Sequence, residues 1–327
     1  MLDKIKGCIF GGAIGDALGY AIEFYREDEI FSIYPNGICE YELEDGIALF
    51  SDDTQMSLFT AAGLFEGHDY LENIRKAYID WYHTQIHSCF YKSYTTLYKD
   101  KRLHENRAPG MACMNSLSNG GHGTIQNPIN DSKGCGGVMR VAPIGCYFDL
   151  DSNVDVGYLA ASASALTHGH ELGYIPSCML GYLIQYLVYS NETLEDSVYL
   201  SLHKTNEMFK DKYYIQDFNQ IINKAIDLSK QNINDLDAIH ALGEGWIAEE
   251  ALAISIYCAL KYSNNFEKAI VASVNHNGDS DSTGAICGNI IGCYLGYKTI
   301  PTKYLNDLEC SDLLEEISTK LTQKPIK

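Results

Sequence analysis

Residues 275–284 read Asn-His-Asn-Gly-Asp-Ser-Asp-Ser-Thr-Gly and lead directly into an apolar run, residues 285–300. This run is short for a membrane span and contains Asn289, so it predicts a buried helix. Asp279 and Asp281 alternate along the chain and cannot share one face of a helix, but in a turn they can converge on one point. The stretch therefore places two carboxylates at the start of a core helix.

A second acidic cluster, Ser51-Asp52-Asp53, also precedes a helical pattern. Taken alone, each cluster is most simply a helix N-cap, since Ser and Asp accept hydrogen bonds from first-turn amides. Two such clusters in one chain favour a metal site, because hard divalent cations prefer carboxylate and hydroxyl oxygens. Four carboxylates buried together without a counter-charge would be costly or would be protonated. If the clusters converge in space, they predict a site for two divalent cations.

A calcium-binding EF-hand loop is the nearest alternative for the later cluster. Residues 279–284 carry acidic, hydroxyl and glycine positions that imitate the start of such a loop. The twelfth position needs a bidentate Glu, and the chain has Ile290 there. The sequence therefore does not support an EF-hand.

Helical periodicity dominates the rest of the chain, in residues 54–66, 71–85, 155–166, 175–189, 249–262 and 266–274. Alternating strand patterns are scarce, and residues 38–50 are the best candidate for a small strand or an irregular arm. The polar, Asn-rich segment 191–237 predicts a peripheral helical elaboration. Without a linker or an internal repeat, residues 1–327 are expected to form one compact all-α domain.

The composition restricts the class of function. The 327 residues carry a formal net charge of −19, which repels nucleic-acid phosphates, so no extended nucleic-acid binding is expected. No apolar stretch is long enough for a membrane helix, and Asp16 interrupts the N-terminal apolar run, which argues against a signal peptide. Eleven cysteines without a C-x-x-C pair are typical of reduced thiols and predict a cytoplasmic protein.

A glycine-rich segment at residues 133–140 reads Lys-Gly-Cys-Gly-Gly-Val-Met-Arg. Backbone N–H groups left uncovered by glycines can bind a diphosphate. The segment is neither a dinucleotide fingerprint, because Met139 occupies the final glycine position, nor a P-loop. In isolation, a turn before a helix explains it equally well.

Five motifs, in this order, resemble the ADP-ribosylglycohydrolase family over residues 5–300. The family includes dinitrogenase-reductase-activating glycohydrolases and the ADP-ribosylarginine and ADP-ribosylserine hydrolases. The motifs are Gly-Asp-Ala-Leu-Gly at 15–19 with Glu23, Ser-Asp-Asp-Thr at 51–54, Gly-Cys-Gly-Gly-Val-Met-Arg at 134–140, Thr-His at 167–168 and Gly-Asp-Ser-Asp-Ser-Thr-Gly at 278–284.

The resemblance implies a compact orthogonal helical bundle with a binuclear magnesium or manganese centre. The implied ligands of the two cations are Ser51, Asp52, Asp53, Asp279, Asp281 and Ser282. The implied substrate-binding residues are Glu23 at the ribose, His168 on the adenosine side and, around the diphosphate, Gly134, Cys135, Gly136, Gly137 and Met139. Glu23, Asp53 and Asp281 are unranked candidate catalytic carboxylates. Cys135 departs from the family pattern, since several branches have Asn there.

The implied reaction is hydrolysis of the N- or O-glycosidic bond between ADP-ribose and a protein side chain or a small molecule. Arginine-linked ADP-ribose is the first expectation, because Gly-Cys-Gly at 134–136 and the motif at 278–284 most resemble the arginine-type branch of the family. An acidic surface mildly favours a cationic guanidinium as well. Serine, nucleic-acid and small-metabolite linkages stay open. The alternative is an ADP-ribose-binding or structural member of the family without activity. Two weaker segments, residues 107–110 and 243–246, resemble family segments at the cleft, and Trp246 is a candidate lining residue.

Overall fold

A computed structural model describes residues 1–88 and 90–323, and all regular structure within these ranges is helical. The sixteen α-helices are α1 (Leu2–Tyr20), α2 (Glu27–Ile33), α3 (Asp52–Leu64), α4 (Tyr70–Gln85), α5 (Met111–Ser118), α6 (Ala142–Tyr147), α7 (Val156–Ala165), α8 (Glu171–Tyr189), α9 (Leu194–Phe209), α10 (Ile215–Ser229), α11 (Asp235–Leu242), α12 (Ala248–Lys261), α13 (Phe266–Val274), α14 (Ser280–Leu295), α15 (Thr302–Leu305) and α16 (Ser311–Leu321). Short 3₁₀ turns occupy Leu97–Lys99, Lys101–His104, Cys135–Gly137 and Tyr297–Thr299. The all-α prediction is confirmed.

Helices α1 and α14 pack against each other with their backbones in contact. Glycines recur at every fourth position, at 7, 11, 15 and 19 in α1 and at 284, 288 and 292 in α14. A methyl group on Gly11 would lie 2.3 Å from the carbonyl oxygen of Gly288, and one on Gly15 would lie 2.0 Å from that of Gly284. Rising numbers in α1 meet falling numbers in α14, so the helices are antiparallel. The end of α1 therefore lies beside the start of α14.

The six helices predicted from periodicity are all present. Residues 266–274 coincide with α13, and four other predictions differ from the structure by at most two residues at each end. Helix α8 begins four residues earlier than expected, at Glu171. The reason is local, because His170 Nδ1 accepts the amide of Leu172 at 3.0 Å and caps the first turn. Periodicity predicts the body of a helix better than its capped end.

Residues 38–50 form an irregular arm. The backbones of Glu44 and Ile47 exchange two hydrogen bonds of 3.0 Å across a tight turn, and Ala48 then bonds to both Asp307 and Glu309. These short contacts are isolated bridges. The segment 191–237 is helical as expected, since it contains α9, α10 and the start of α11.

One hydrophobic cluster of buried residues extends from Ile5 to Leu321. That the whole of 1–327 is one domain stays a prediction, and residues 89 and 324–327 lie outside the described part of the chain. Within that part, no helix is long and apolar enough to cross a membrane. Ten of the cysteines are described, and all ten are free thiols.

Candidate active site

Helices α3 and α14 both begin at an acidic cluster. Ser51 is the N-cap of α3, where its Oγ accepts the amide of Asp53 at 3.2 Å. Asp279 is the N-cap of α14, where its Oδ1 accepts the amide of Ser282 at 3.2 Å. The capping interpretation therefore holds for these two residues. It leaves Asp52 and Asp53 unexplained, since neither side chain caps a helix.

The two clusters converge on one cavity. Glu23, Asp52, Asp53, Asp279 and Asp281 line a cavity of about 270 Å³, and we call these five residues the acidic wall. Burial, followed by the charge of Asp281, raises the pKa values of Asp52, Asp53 and Asp279 well above the usual range. The same two causes raise the pKa of Glu23 to about 10. The charge of Asp281 raises the pKa values of carboxylates in both clusters, and residues of both clusters line the same cavity. The convergence assumed from the sequence is therefore confirmed.

Asp16 supports the acidic wall from behind and was not among the predicted site residues. It is fully buried on α1 and accepts the amides of Ser51 at 2.8 Å and Thr54 at 2.9 Å. Burial, followed by repulsion from Asp281, raises its pKa to about 7. Its place in the Gly-Asp-Ala-Leu-Gly motif could have marked Asp16 as a site residue. Asp16 fixes the start of α3 against the end of α1.

The segment 107–110 encloses Asp52 from the other side. The carbonyl of Arg107 accepts the amide of Asp52 at 3.0 Å, and the amide of Gly110 donates to the Asp52 carboxylate. Ala108 has a φ of 55°, a left-handed conformation that is uncommon for a residue with a Cβ. Ala108 and Gly110 both line the cavity. The weaker family-like segment therefore does lie at the cleft.

The glycine-rich loop lines the same cavity as the carboxylates. The amide of Cys135 donates to the carbonyl of Trp246 at 3.2 Å, which ties the loop to the segment 243–246. The thiol of Cys135 donates to Asp279 Oδ2 at 2.7 Å and joins the loop to the acidic wall. Gly134, Gly136 and His168 line the cavity, and we call these three residues the neutral wall.

His168 is a neutral base in this environment. Burial, followed by the positive charge of Arg140, lowers its pKa to about 3. Its Nδ1 lies 2.8 Å from the hydroxyl of Thr167. A methyl group on Gly136 would lie 3.2 Å from the imidazole carbon Cε1, so glycine lets the loop pass close to the ring. The neutral wall therefore presents backbone and an uncharged imidazole.

Most of the predicted site residues reach the cavity, namely Glu23, Asp52, Asp53, Gly134, Cys135, Gly136, Met139, His168, Asp279, Asp281 and Ser282. Ser51 and Gly137 lie behind its lining. Ser51 is fully buried at the helix cap, and a methyl group on Gly137 would lie 2.0 Å from Ser164 Oγ. The lining also includes Met111, Ala112 and Cys113, which no sequence pattern marked.

The side chains of the acidic wall offer oxygen donors that suit a hard cation. Glu23 Oε2 and Asp53 Oδ2 are buried and have no hydrogen-bond partner among the described residues. Buried polar atoms are normally paired, so these two oxygens fit a positively charged ligand. In residues 1–88 and 90–323, no three His, Cys, Asp or Glu side chains are already grouped as a metal site. The donor chemistry therefore fits divalent cations, with side-chain adjustment on binding.

Comparison with known proteins extends over nearly the whole chain. Residues 1–326 match the family model described as ADP-ribosylglycohydrolase. An uncharacterized protein of Archaeoglobus fulgidus is 25% identical, with 98% of this chain and 96% of that protein covered. ADP-ribosylhydrolase ARH3 of Bos taurus is 22% identical, with 99% and 94% covered. ADP-ribosylarginine hydrolase Tri1 of Serratia proteamaculans is also 22% identical, with 98% and 79% covered.

A solved structure has the same fold. The structure is titled ADP-ribosylglycohydrolase-related protein complex and superimposes with a TM-score of 0.69. The alignment covers 99% of both chains at 20% sequence identity. At this level of identity, the likeness establishes the helical architecture alone.

Proposed function

The chain belongs to the ADP-ribosylglycohydrolase family, and from that premise we propose that it hydrolyses the glycosidic bond between ADP-ribose and a substrate group. One observation carries the proposal: carboxylates from helices α1, α3 and α14 and their flanking turns meet at one cavity, which a glycine-rich loop also lines. Two of the relatives named above, ARH3 of Bos taurus and Tri1 of Serratia proteamaculans, are named as ADP-ribosyl hydrolases, which supports the same class of reaction. A cytoplasmic location stays a prediction.

We also propose that the acidic wall binds two divalent cations, Mg²⁺ or Mn²⁺. Asp52, Asp53, Asp279 and Asp281 would hold them, with Ser282 beside them on α14. Ser51 is the least suited of the predicted ligands, because its hydroxyl caps α3 behind the cavity. Bound cations would supply positive charge and Lewis acidity toward ribose hydroxyls and water. The unpartnered oxygens of Glu23 and Asp53 support this assignment.

In the proposed reaction, the oxygen of water bonds to the anomeric carbon as the bond from that carbon to the leaving nitrogen or oxygen breaks. A carboxylate of the acidic wall accepts a proton from the water, and the leaving group gains a proton. Positive charge develops on the sugar ring, and the nearby carboxylates stabilise it. Glu23, Asp53 and Asp281 are the candidate proton acceptors. Bound cations would lower the raised pKa values of Glu23 and Asp53, so that each could act as a base.

Arginine-linked ADP-ribose is the first substrate to test. Trp246 lines the cavity, and its ring is stacked on that of Phe24, with 6.3 Å between the ring centres and 21° between their planes. Phe24 is 71% exposed and Trp246 is 41% exposed. Aromatic faces attract guanidinium groups, and the acidic wall adds to that attraction. Serine, nucleic-acid and small-metabolite linkages are the competing substrates.

The proposal is tested by incubating the protein with ADP-ribosylarginine and Mg²⁺ or Mn²⁺, and then with a chelator. Release of free ADP-ribose that requires the cation supports a metal-dependent hydrolase. Parallel incubations with serine-linked and nucleic-acid-linked ADP-ribose identify the leaving group. Binding of ADP-ribose without turnover of any linkage would instead favour the alternative, an inactive binding or structural member of the family.

A further inference from the structure

Arg140 is buried and has no acidic partner in the part of the chain that the structure describes. It is the last residue of the glycine-rich segment 133–140, and its side chain is fully inaccessible to solvent. Its guanidinium donates to the carbonyl of Ala163 at 3.0 Å and to the hydroxyl of Thr167 at 2.8 Å, and it lies 4.2 Å from the ring centre of Tyr78. Its Nε has no hydrogen-bond partner among the described residues. Buried charges are usually paired with an opposite charge, so this arrangement needs another explanation.

The hydroxyl of Thr167 connects Arg140 to His168. Arginine can only donate hydrogen bonds, so Thr167 Oγ1 accepts from it and keeps one proton to donate. Three acceptors are near this hydroxyl: His168 Nδ1 at 2.8 Å, the carbonyl of Ser164 at 3.4 Å and the sulfur of Cys113, which is a weak acceptor. The carbonyl already accepts the amides of Thr167 and His168, each at 3.0 Å, which uses both of its lone pairs. The Thr167 hydroxyl therefore donates its hydrogen bond to His168 Nδ1, which accepts it.

Electrostatics supports the same assignment. If Nδ1 carried the proton, the N–H dipole would point toward the positive guanidinium of Arg140. With Nδ1 as acceptor, its lone pair faces the cation and the remaining ring proton is on Nε2. Nε2 has no partner among the described residues, and the imidazole lines the cavity beside Gly134 and Gly136.

We infer that Arg140 and Thr167 are positioning residues that hold His168 as a neutral imidazole with its Nε2–H directed at an acceptor oxygen of the bound ligand. A donor of this kind does not change charge across the physiological pH range. It lines the same cavity as the acidic wall, and an anionic diphosphate bound there would need such donors. The ligand in this inference rests on the proposed function, whereas the tautomer does not.

The backbone around His168 is held independently of the ligand. The Asn130 side chain donates to the carbonyl of Thr167 at 2.8 Å and accepts the amide of Gly169 at 2.9 Å. The hydroxyl of Ser116 donates to the same Thr167 carbonyl at 3.2 Å. Replacing the Thr167 side chain therefore removes or keeps the hydrogen bond to His168 Nδ1, while these backbone contacts remain. This makes Thr167 the suitable position for a test.

The tautomer is measured by NMR on ligand-free protein with ¹⁵N-labelled histidine. The chain has ten histidines, and the His168 signals are those that disappear in His168→Gln. We expect a protonated Nε2 and an unprotonated Nδ1 in the natural protein and in Thr167→Ser, which keeps the hydroxyl. Thr167→Val should lose this preference. A protonated Nδ1 in the natural protein, or an unchanged spectrum in Thr167→Val, would overturn the inference.

The ligand is tested by titrating ADP-ribose into the same proteins in the presence of Mg²⁺. Thr167→Val should bind about 5- to 10-fold more weakly, the loss expected for one hydrogen bond, and Thr167→Ser should bind normally. Equal binding by Thr167→Val in spite of a changed tautomer would refute the assigned donor. A natural protein with the expected tautomer but no hydrolysis of any ADP-ribosyl linkage would reject the proposed function while supporting the tautomer assignment.

Discussion

The acidic wall and the neutral wall enclose the same cavity but carry opposite chemistry. In the acidic wall, burial and the charge of Asp281 raise the pKa values of Asp52 and Asp53. In the neutral wall, burial and the charge of Arg140 lower the pKa of His168 to about 3. The first wall needs added positive charge before an anion can approach it, and the second does not. A ligand that contacts both walls should carry one group that binds the cations and another group that accepts hydrogen bonds from the fixed donors.

The largest expected effect follows from removing the central charge of the acidic wall. Asp281→Asn should lower the rate of ADP-ribose release on the order of 10²- to 10³-fold, because this carboxylate interacts electrostatically with carboxylates of both acidic clusters. Steady-state assays with ADP-ribosylarginine and Mg²⁺ measure the loss. Asp211→Asn, at an exposed position remote from the cavity, is the matched control and should be fully active. Activity of Asp281→Asn within tenfold of the natural protein would contradict the central role of Asp281.

The next effect concerns the stability of the acidic wall. The pKa of Asp16 is raised from its usual 3.8 to about 7, so between these pH values the folded protein holds a proton that the unfolded chain has lost. With a chelator present, the free energy of unfolding should therefore fall as the pH rises from about 4 to about 7. Denaturant titrations across this range measure the slope. A stability that rises with pH would show that the carboxylates are already compensated.

Added cations should reverse this loss. At a Mg²⁺ or Mn²⁺ concentration of 100 times its Kd, binding stabilises the folded state by about 2.7 kcal/mol, which corresponds to about 4 °C in Tm for a chain of this length. Thermal unfolding at neutral pH with and without the cation measures the shift. Asp281→Asn is the comparison variant and should show a smaller shift. Equal shifts in both proteins would place the cation outside the acidic wall.

A smaller effect is expected from the neutral wall. His168→Ala removes one donor and the ring surface beside Gly136, so we expect the KM for ADP-ribosylarginine to rise about tenfold. The kcat should change little, because the reacting bond lies at the acidic wall in the proposed reaction. Initial-rate measurements over a range of substrate concentrations separate the two constants. A loss confined to kcat would instead place His168 at the reacting bond.

The smallest effect is expected where the two walls meet. The Cys135 thiol donates to Asp279, and the hydroxyl of Cys135→Ser can donate in the same way. We therefore expect kcat/KM to change about two- to threefold, less than the value of one hydrogen bond. Cys135→Ala, which removes the donor, should lose more activity than Cys135→Ser. Equal losses in the two variants would show that the sulfur itself is needed.

The sequence predicted the local features of this protein well. The helical periodicity of residues 266–274 coincides with α13, and the acidic clusters do stand at the starts of α3 and α14. The family motifs identified eleven residues that line the cavity. These features depend on neighbours within a few turns of chain, so periodicity, capping chemistry and short motifs report them.

Contacts between distant parts of the chain were decided by the tertiary structure alone. The close approach of Gly15 to Gly284 places Asp16 beneath the acidic wall, and it leaves Ser51 as a cap behind the cavity. The four-residue glycine spacing was visible, but the partner of each glycine was not. Whether a carboxylate faces a cavity or the core depends on how two remote helices cross, and that geometry has no signature in local residue order.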